Sequence, residues 1–374
     1  LLACKGKRFA RKCPRLARKQ KSLAGEQPGV VRKEKSLARN KPALAREQDS
    51  LARKSSAPDR KPLPLAAAAR QRLNSRKLPS MLAPCPVSAH PPALPAGSTS
   101  TWRARLELGF AADGARTALV HRLHEGPLRV QKALYPEGPE VCHALVLHPP
   151  AGIAGGDELT LQIDVGEGAR ALVTTPGAGK WYRSRQPDGT QLARQTLDFR
   201  VAAGGVLEWL PQEAIVFDRV RGRADTTVRL AGDGVFVGLD LLCLGRTASG
   251  ERFTAGSLAI ASRIERDGRL LWHEQGRIEG GSRLLDSPVG LRGQPVTGTL
   301  LVAAEGIDAA LLEACRAVQP AVGEGGVTRL PGLLVARYLG PAAEPARAWF
   351  VALWTVLRPA LVGREAAVPR IWLT

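Results

Sequence analysis

Three stretches of the chain repeat one pattern of alternating apolar residues, a short Gly-rich turn and a second apolar run. They are ELTLQIDVGEGARALV (158–173), QTLDFRVAAGGVLEWL (195–210) and DTTVRLAGDGVFVGLDLL (225–242). A period of two puts alternate side chains on opposite faces of an extended chain, the mark of a half-buried strand. No helical pattern separates the repeats. The expected fold is therefore mainly β, with stacked antiparallel hairpins forming a layered or solenoid-like β body. Upstream, Leu106, Leu108 and Phe110 alternate before a turn at Asp113-Gly114, and further strands are expected at 117–123, 128–134 and 143–148. Asp188-Gly189 and Asp267-Gly268 mark more turns.

Only the last quarter reads as helix. Leu311, Leu312, Cys315 and Val318 lie on one side of a segment from Ile307 to Val318, which ends before Pro320. Pro345–Leu357 places Trp349, Phe350, Leu353, Trp354 and Leu357 on one stripe. Two C-terminal helices are expected to cap the core. The alternative is an aromatic stripe left exposed for a partner.

Charge divides the chain near Met81, its one methionine. The whole carries 54 Lys+Arg against 34 Asp+Glu, a formal net charge of +20. Before Met81 there are 23 basic and 5 acidic residues, which leaves 31 against 29 for the remainder. The body from Trp102 onward thus gives no electrostatic argument for nucleic-acid binding. In the basic part Leu2, Phe9, Leu16, Leu23, Val30, Leu37, Leu44 and Leu51 recur every seventh residue, with Pro14, Pro28 and Pro42 every fourteenth. A coiled coil wants a second apolar position per heptad, and proline costs about 3 kcal/mol inside a helix. Residues 1–80 are read as a disordered basic arm or as a stretch preceding a natural start at Met81. Functionally, such an arm would bind nucleic acid or an anionic surface, or act as a presequence. Residues 81–101 read as a Pro-rich linker and 102–374 as the β domain.

Chemistry-bearing motifs are few. GAGK at 177–180 lacks the spacing of a phosphate loop, since Thr174 and Trp181 stand where glycine and a hydroxyl are needed. Gly152–Gly156 fails the dinucleotide spacing. No G-x-S-x-G occurs, and no catalytic residue is assigned. Cys142, His143, His148, His121, His124, Asp157, Glu158 and Glu213 offer metal-ligand chemistry without a tight motif. The cysteines include no CxxC, which fits a reduced, cytoplasmic protein, and no run of about 18 apolar residues exists to span a membrane. Asp240 stands alone in the apolar run GVFVGLDLLCLG, where an unpaired carboxylate is costly unless it meets water or a partner such as Arg246. Asp157, Glu213 and Asp240 are therefore expected to face one water-accessible passage that holds a metal cation weakly.

The strings LVLHPPAGIAGGDEL (145–159), LVTTPGAGKWYRS (172–184) and LEWLPQEAIVFDR (207–219), with GLDLLCLGR (238–246) and GLRGQPVTGTLLV (290–302), closely resemble the urease accessory protein UreD (UreH) family. The likeness covers most of 102–374. Its HPPGG string stands here as His148-Pro149-Pro150-Ala151-Gly152, with Ala151 in place of a frequent glycine. GGD is kept at Gly155–Asp157, the TxPGAxKxYRS segment at Thr175–Ser184, PQE at Pro211–Glu213 and FD at Phe217-Asp218. The resemblance implies a non-enzymatic scaffold that binds apo-urease, recruits UreF and UreG, and helps deliver nickel to urease, with GTP hydrolysed by UreG. It implies a largely β fold with two helices. No tightly bound cofactor is expected, only transient Ni²⁺. His148, Lys180, Arg183, Ser184 and Asp218 become interface or motif candidates on the same ground.

Overall fold

The structure is a computed structural model that describes residues 101–183 and 191–373. The basic arm, nearly all of the linker, Ser184 and the turn at Asp188-Gly189 lie outside the described residues.

The chain forms β1 (Arg103–Asp113), β2 (Arg116–Glu125), β3 (Arg129–Val130), β4 (Val141–Leu147), β5 (Glu158–Val165), β6 (Arg170–Thr174), β7 (Gly179–Trp181), β8 (Ala193–Val201) and β9 (Val206–Trp209). It continues through β10 (Ala214–Val216), β11 (Arg221–Leu230), β12 (Val235–Leu244), β13 (Ser257–Arg266), β14 (Arg269–Glu279) and a one-turn helix α1 (Arg283–Asp286). Then come β15 (Val296–Ala303), α2 (Ala309–Ala317), β16 (Glu324–Leu330), β17 (Leu333–Gly340) and α3 (Ala343–Val362). The strand expected at 128–134 shrinks to the two residues of β3, with Leu134 adding an isolated bridge to His143.

Two sheets result. One runs β14-β13-β11-β8-β5-β1-β2; the other runs β16-β17-β15-β12-β9-β6-β4-β3, with β10 joining β12 to β7. The repeats are not antiparallel hairpins. In each, the first strand lies in one sheet and the second in the other, so that β5, β8, β11 and β13 pair in parallel, as do β4, β6, β9 and β12. The links 166–169, 202–205 and 231–234 carry the chain across the core instead of back along the same sheet. Gly204 lies beside the Gly168 backbone in the neighbouring link, and its φ of 65° is a conformation that glycine adopts without strain. The solenoid-like part of the expectation describes this arrangement, and antiparallel pairing stands at its ends, at β1–β2, β13–β14, β3–β4 and β12–β15–β17–β16.

The layers explain the composition of the strands. Leu106, Leu108, Phe110, Leu161, Ile163, Phe199, Val228 and Leu258 fill the space between the sheets. The outer face of the seven-stranded sheet carries ion pairs such as Arg229–Asp198 at 2.6 Å and Arg263–Glu265 at 2.8 Å. The other sheet is covered on both faces, since α2 and α3 pack on its far side. Both-face burial makes β4 and β12 near-continuous apolar runs.

The aromatic stripe of α3 is buried, and the helix caps the core. Gly298 and Gly325 form notches for its rings. A Cβ at either would lie 2.6 Å from Phe350 or Trp349 respectively. Arg358 fixes the same helix electrostatically. It bonds Glu208 on β9 at 3.0 Å and Glu137 at 2.6 Å, while Trp354 donates to Glu208 at 2.7 Å. His143 meets Glu137 at 2.6 Å, closing a buried network between strand and helix.

Candidate inter-sheet passage

Small and polar residues interrupt the apolar filling at one level of the sandwich. On the inner face of the ten-stranded sheet, Asp240 pairs in register with Thr299, and Thr299 with Arg337. Facing them, Thr226 is in register with Ser262, and Ser262 with Glu274. Gly238, Ala224 and Gly276 lie one rung away. With no large side chain at Asp240, Thr299, Thr226 or Ser262 to meet across the gap, the sheets enclose a cavity of about 560 Å³ bordered by both rows. Its lining extends from Arg337 on β17 to Lys180 on β7, four strand spacings away, or about 19 Å. The linings at both ends carry exposed residues. Pro176 and Gly177 are exposed beside Lys180, and Glu274 and Arg337 keep 38% and 50% of their side-chain surface.

Asp240 is enclosed by protein yet remains exposed, because its surface faces this cavity. Burial, and then the charge of Glu274, push its carboxyl up to about 6. Arg246 does not neutralise it. That guanidinium holds Glu251 at 3.0 Å and lies 4.6 Å from the Phe217 ring centroid. Glu213 borders the same cavity and is paired with Arg347 of α3 at 2.8 Å. Near it, burial and the Glu213 charge push the Cys243 thiol up to about 12, so no thiolate is on offer there.

Asp157 departs from the expected trio. It is buried and does not border the cavity; its two oxygens accept from the backbone N–H groups of Trp102 at 3.2 Å and Ala154 at 2.8 Å. It shapes the turn that leads into β5. His148 does border the cavity. Burial lowers its pKa against the opposing pull of Asp157, and its Nε2 has no hydrogen-bond partner among the described residues. Lys180 lines the cavity, whereas Arg183 is exposed outside it. Asp218 is structural, accepting from the N–H groups of Thr254 at 2.6 Å and Ala255 at 2.9 Å. Cys142 is buried, and His121 meets Glu107 on the outer face at 3.1 Å. Among the described residues no three His, Cys, Asp or Glu side chains group to hold a metal ion. No described helix is long and apolar enough to cross a membrane.

Glu274, Arg337 and the Thr/Ser rows escaped the sequence reading. The signal was present as Ser262 and Thr226 standing at inward positions that period two reserves for large apolar residues.

The sequence profile of the family described as UreD urease accessory protein matches residues 103–373. This chain belongs to the UreD family. Among its relatives, the urease accessory protein UreD of Azoarcus sp. strain BH72 is 61% identical over 273 residues, covering 73% of this chain and 94% of the relative. UreD of Dechloromonas aromatica strain RCB is 54% identical over 278 residues, covering 73% and 95%. UreD of Nitrosococcus oceani is 52% identical over 291 residues, covering 78% and 97%. As a UreD chain, its matched region contains both sheets, the cavity between them and α3.

Proposed function

We propose that this chain is a urease-maturation scaffold without turnover of its own, which binds apo-urease together with UreF and UreG in the cytoplasm. Nickel, its cargo, passes through the inter-sheet cavity on the way to the urease active site. The observation that carries this reading is a long cavity with exposed residues at both ends and, in its wall, the carboxylate of Asp240, which has no partner among the described residues. Oxygen ligands suit a divalent cation, and one or two of them hold it weakly enough for release. Glu213, already neutralised by Arg347, adds a second, weaker stop.

The test is co-expression of this chain with apo-urease and the other accessory proteins, measuring nickel per urease. Omitting the chain is expected to abolish loading. Asp240→Ala is expected to keep partner binding and lower nickel several-fold. Equal urease activity with and without the chain would refute the scaffold reading, and unchanged loading by Asp240→Ala would refute the passage.

A further inference from the structure

The mouth of the cavity at β14 and β17 is bridged by one ion pair. Arg337 reaches from the ten-stranded sheet to Glu274 on the opposite sheet, with 2.7 Å between Nη2 and Oε1, and its guanidinium lies 5.8 Å from the Trp272 ring centroid. The pair stands at the end of the polar rows described above. Asp240 lies two strands from Arg337 in register, and it feels the Glu274 charge.

Two carboxylates facing one cavity form a chelate for a divalent cation when nothing else engages them. Here one of the two is held by a tethered cation. A pair this exposed is weak and opens readily, so the guanidinium competes with an incoming ion without sealing the mouth. We propose that Arg337 sets the affinity of the passage for divalent cations, because by occupying Glu274 it prevents Glu274 and Asp240 from closing together on the ion. The inference rests on the passage reading above and adds to it the residue that keeps the cargo loosely held. An ion at this mouth displaces Arg337 from Glu274, and when it moves inward the pair re-forms behind it. Arginine suits the task better than a neutral residue, since its charge is permanent and its planar group is steadied by Trp272.

Equilibrium dialysis of the full chain against NiCl₂, with MgCl₂ as comparator, tests this. Arg337→Gln frees Glu274 to act with Asp240 and is expected to bind Ni²⁺ about tenfold more tightly, from the added ligand charge. Arg337→Lys keeps the cation and is expected to stay near wild type, and the pair Arg337→Gln with Asp240→Asn is expected to return to it. Arg337→Leu, which retains the apolar packing on Trp272, carries the same expectation should Arg337→Gln fail to fold. Folded Arg337→Gln or Arg337→Leu that binds Ni²⁺ no more tightly than wild type overturns the proposal. Nickel per urease, measured in parallel, separates the two readings. Tighter binding with impaired loading supports both, whereas tighter binding with unchanged loading upholds the role of Arg337 and removes the passage from delivery.

Discussion

Arg358 shows how much a single buried charge is asked to do. Its side chain is fully buried and answers two carboxylates, Glu137 and Glu208, which are themselves nearly inaccessible. Removing one member of such a set leaves an uncompensated buried charge, so Arg358→Met is expected to cost about 3–5 kcal/mol of folding free energy, read from urea unfolding. A cost below about 1 kcal/mol, the level of an exposed pair, would show that the network is solvated. Asp240 works in the opposite sense. Its carboxyl binds a proton more tightly in the folded chain than in the unfolded one, so its charge opposes folding at neutral pH, and that penalty is relieved as pH falls through about 6. Asp240→Asn is therefore expected to raise Tm at pH 7.5, with the gain shrinking by pH 5. A Tm equal to wild type at both would contradict the raised value. Asp218 follows the usual carboxylate pattern. Burial works to raise its pKa, but the N–H groups of Thr254 and Ala255 and the Thr254 hydroxyl outweigh it, and the value falls. Its contribution is full above the ordinary aspartate range and is lost as pH drops below it. Asp218→Asn should accordingly flatten the acid limb of the stability profile.

At the scale of elements, the sequence was informative about faces and poor about partners. Period two in 158–173 and its two relatives reports which side chains point inward, and those residues do fill the core: Leu159, Leu161, Ile163 and Val165 along β5 are all buried. The same alternation arises whether the second strand returns beside the first or crosses to the facing sheet. Period two therefore does not separate an arch from a hairpin, and the difference lies in the links, where Gly168 and Gly204 adopt positive φ beside each other. The stripe of α3 was legible because five large apolar residues at helical spacing leave few alternatives. Its end was not. The stripe places the end at Leu357, yet the helix runs to Val362, where Gly363 at φ 71° closes it by donating to the Pro359 carbonyl. Pro359 lies inside the helix and has no N–H to offer the Thr355 carbonyl, while its own carbonyl still accepts from Gly363. The notches opposite α3 make a further prediction. Gly298→Ala places a methyl against Phe350 and is expected to cost about 1–3 kcal/mol by overpacking, measured by urea unfolding, with Phe350→Leu in the same chain recovering part of the loss.

For the whole molecule, the cavity is where packing and the proposed passage make opposite demands. Two sheets spaced about 10 Å apart normally interdigitate large side chains, as they do here around Ile163, Phe199 and Leu258. At the level of Asp240 they do not, because Thr226, Ser262 and Thr299 are too short to meet across the gap. These residues sit at inward positions of strands that elsewhere carry valine, leucine or isoleucine, so the void is written into particular side chains and does not follow from the arrangement of the sheets. If the void were incidental, filling it would improve the protein without penalty. Ser262→Leu adds apolar surface in place of a hydroxyl that accepts from Trp272 at 3.0 Å, and Thr226→Leu adds more on the neighbouring strand. Ser262→Leu leaves the half-buried Trp272 N–H without its acceptor at a cost of about 1–3 kcal/mol, which two filling gains of about 0.5–2 kcal/mol each together offset. The double variant is therefore expected to show a Tm at or above wild type while loading several-fold less nickel per urease under co-expression. A stable double variant that loads nickel normally would mean that the ion takes another path and that the space between the sheets serves something else.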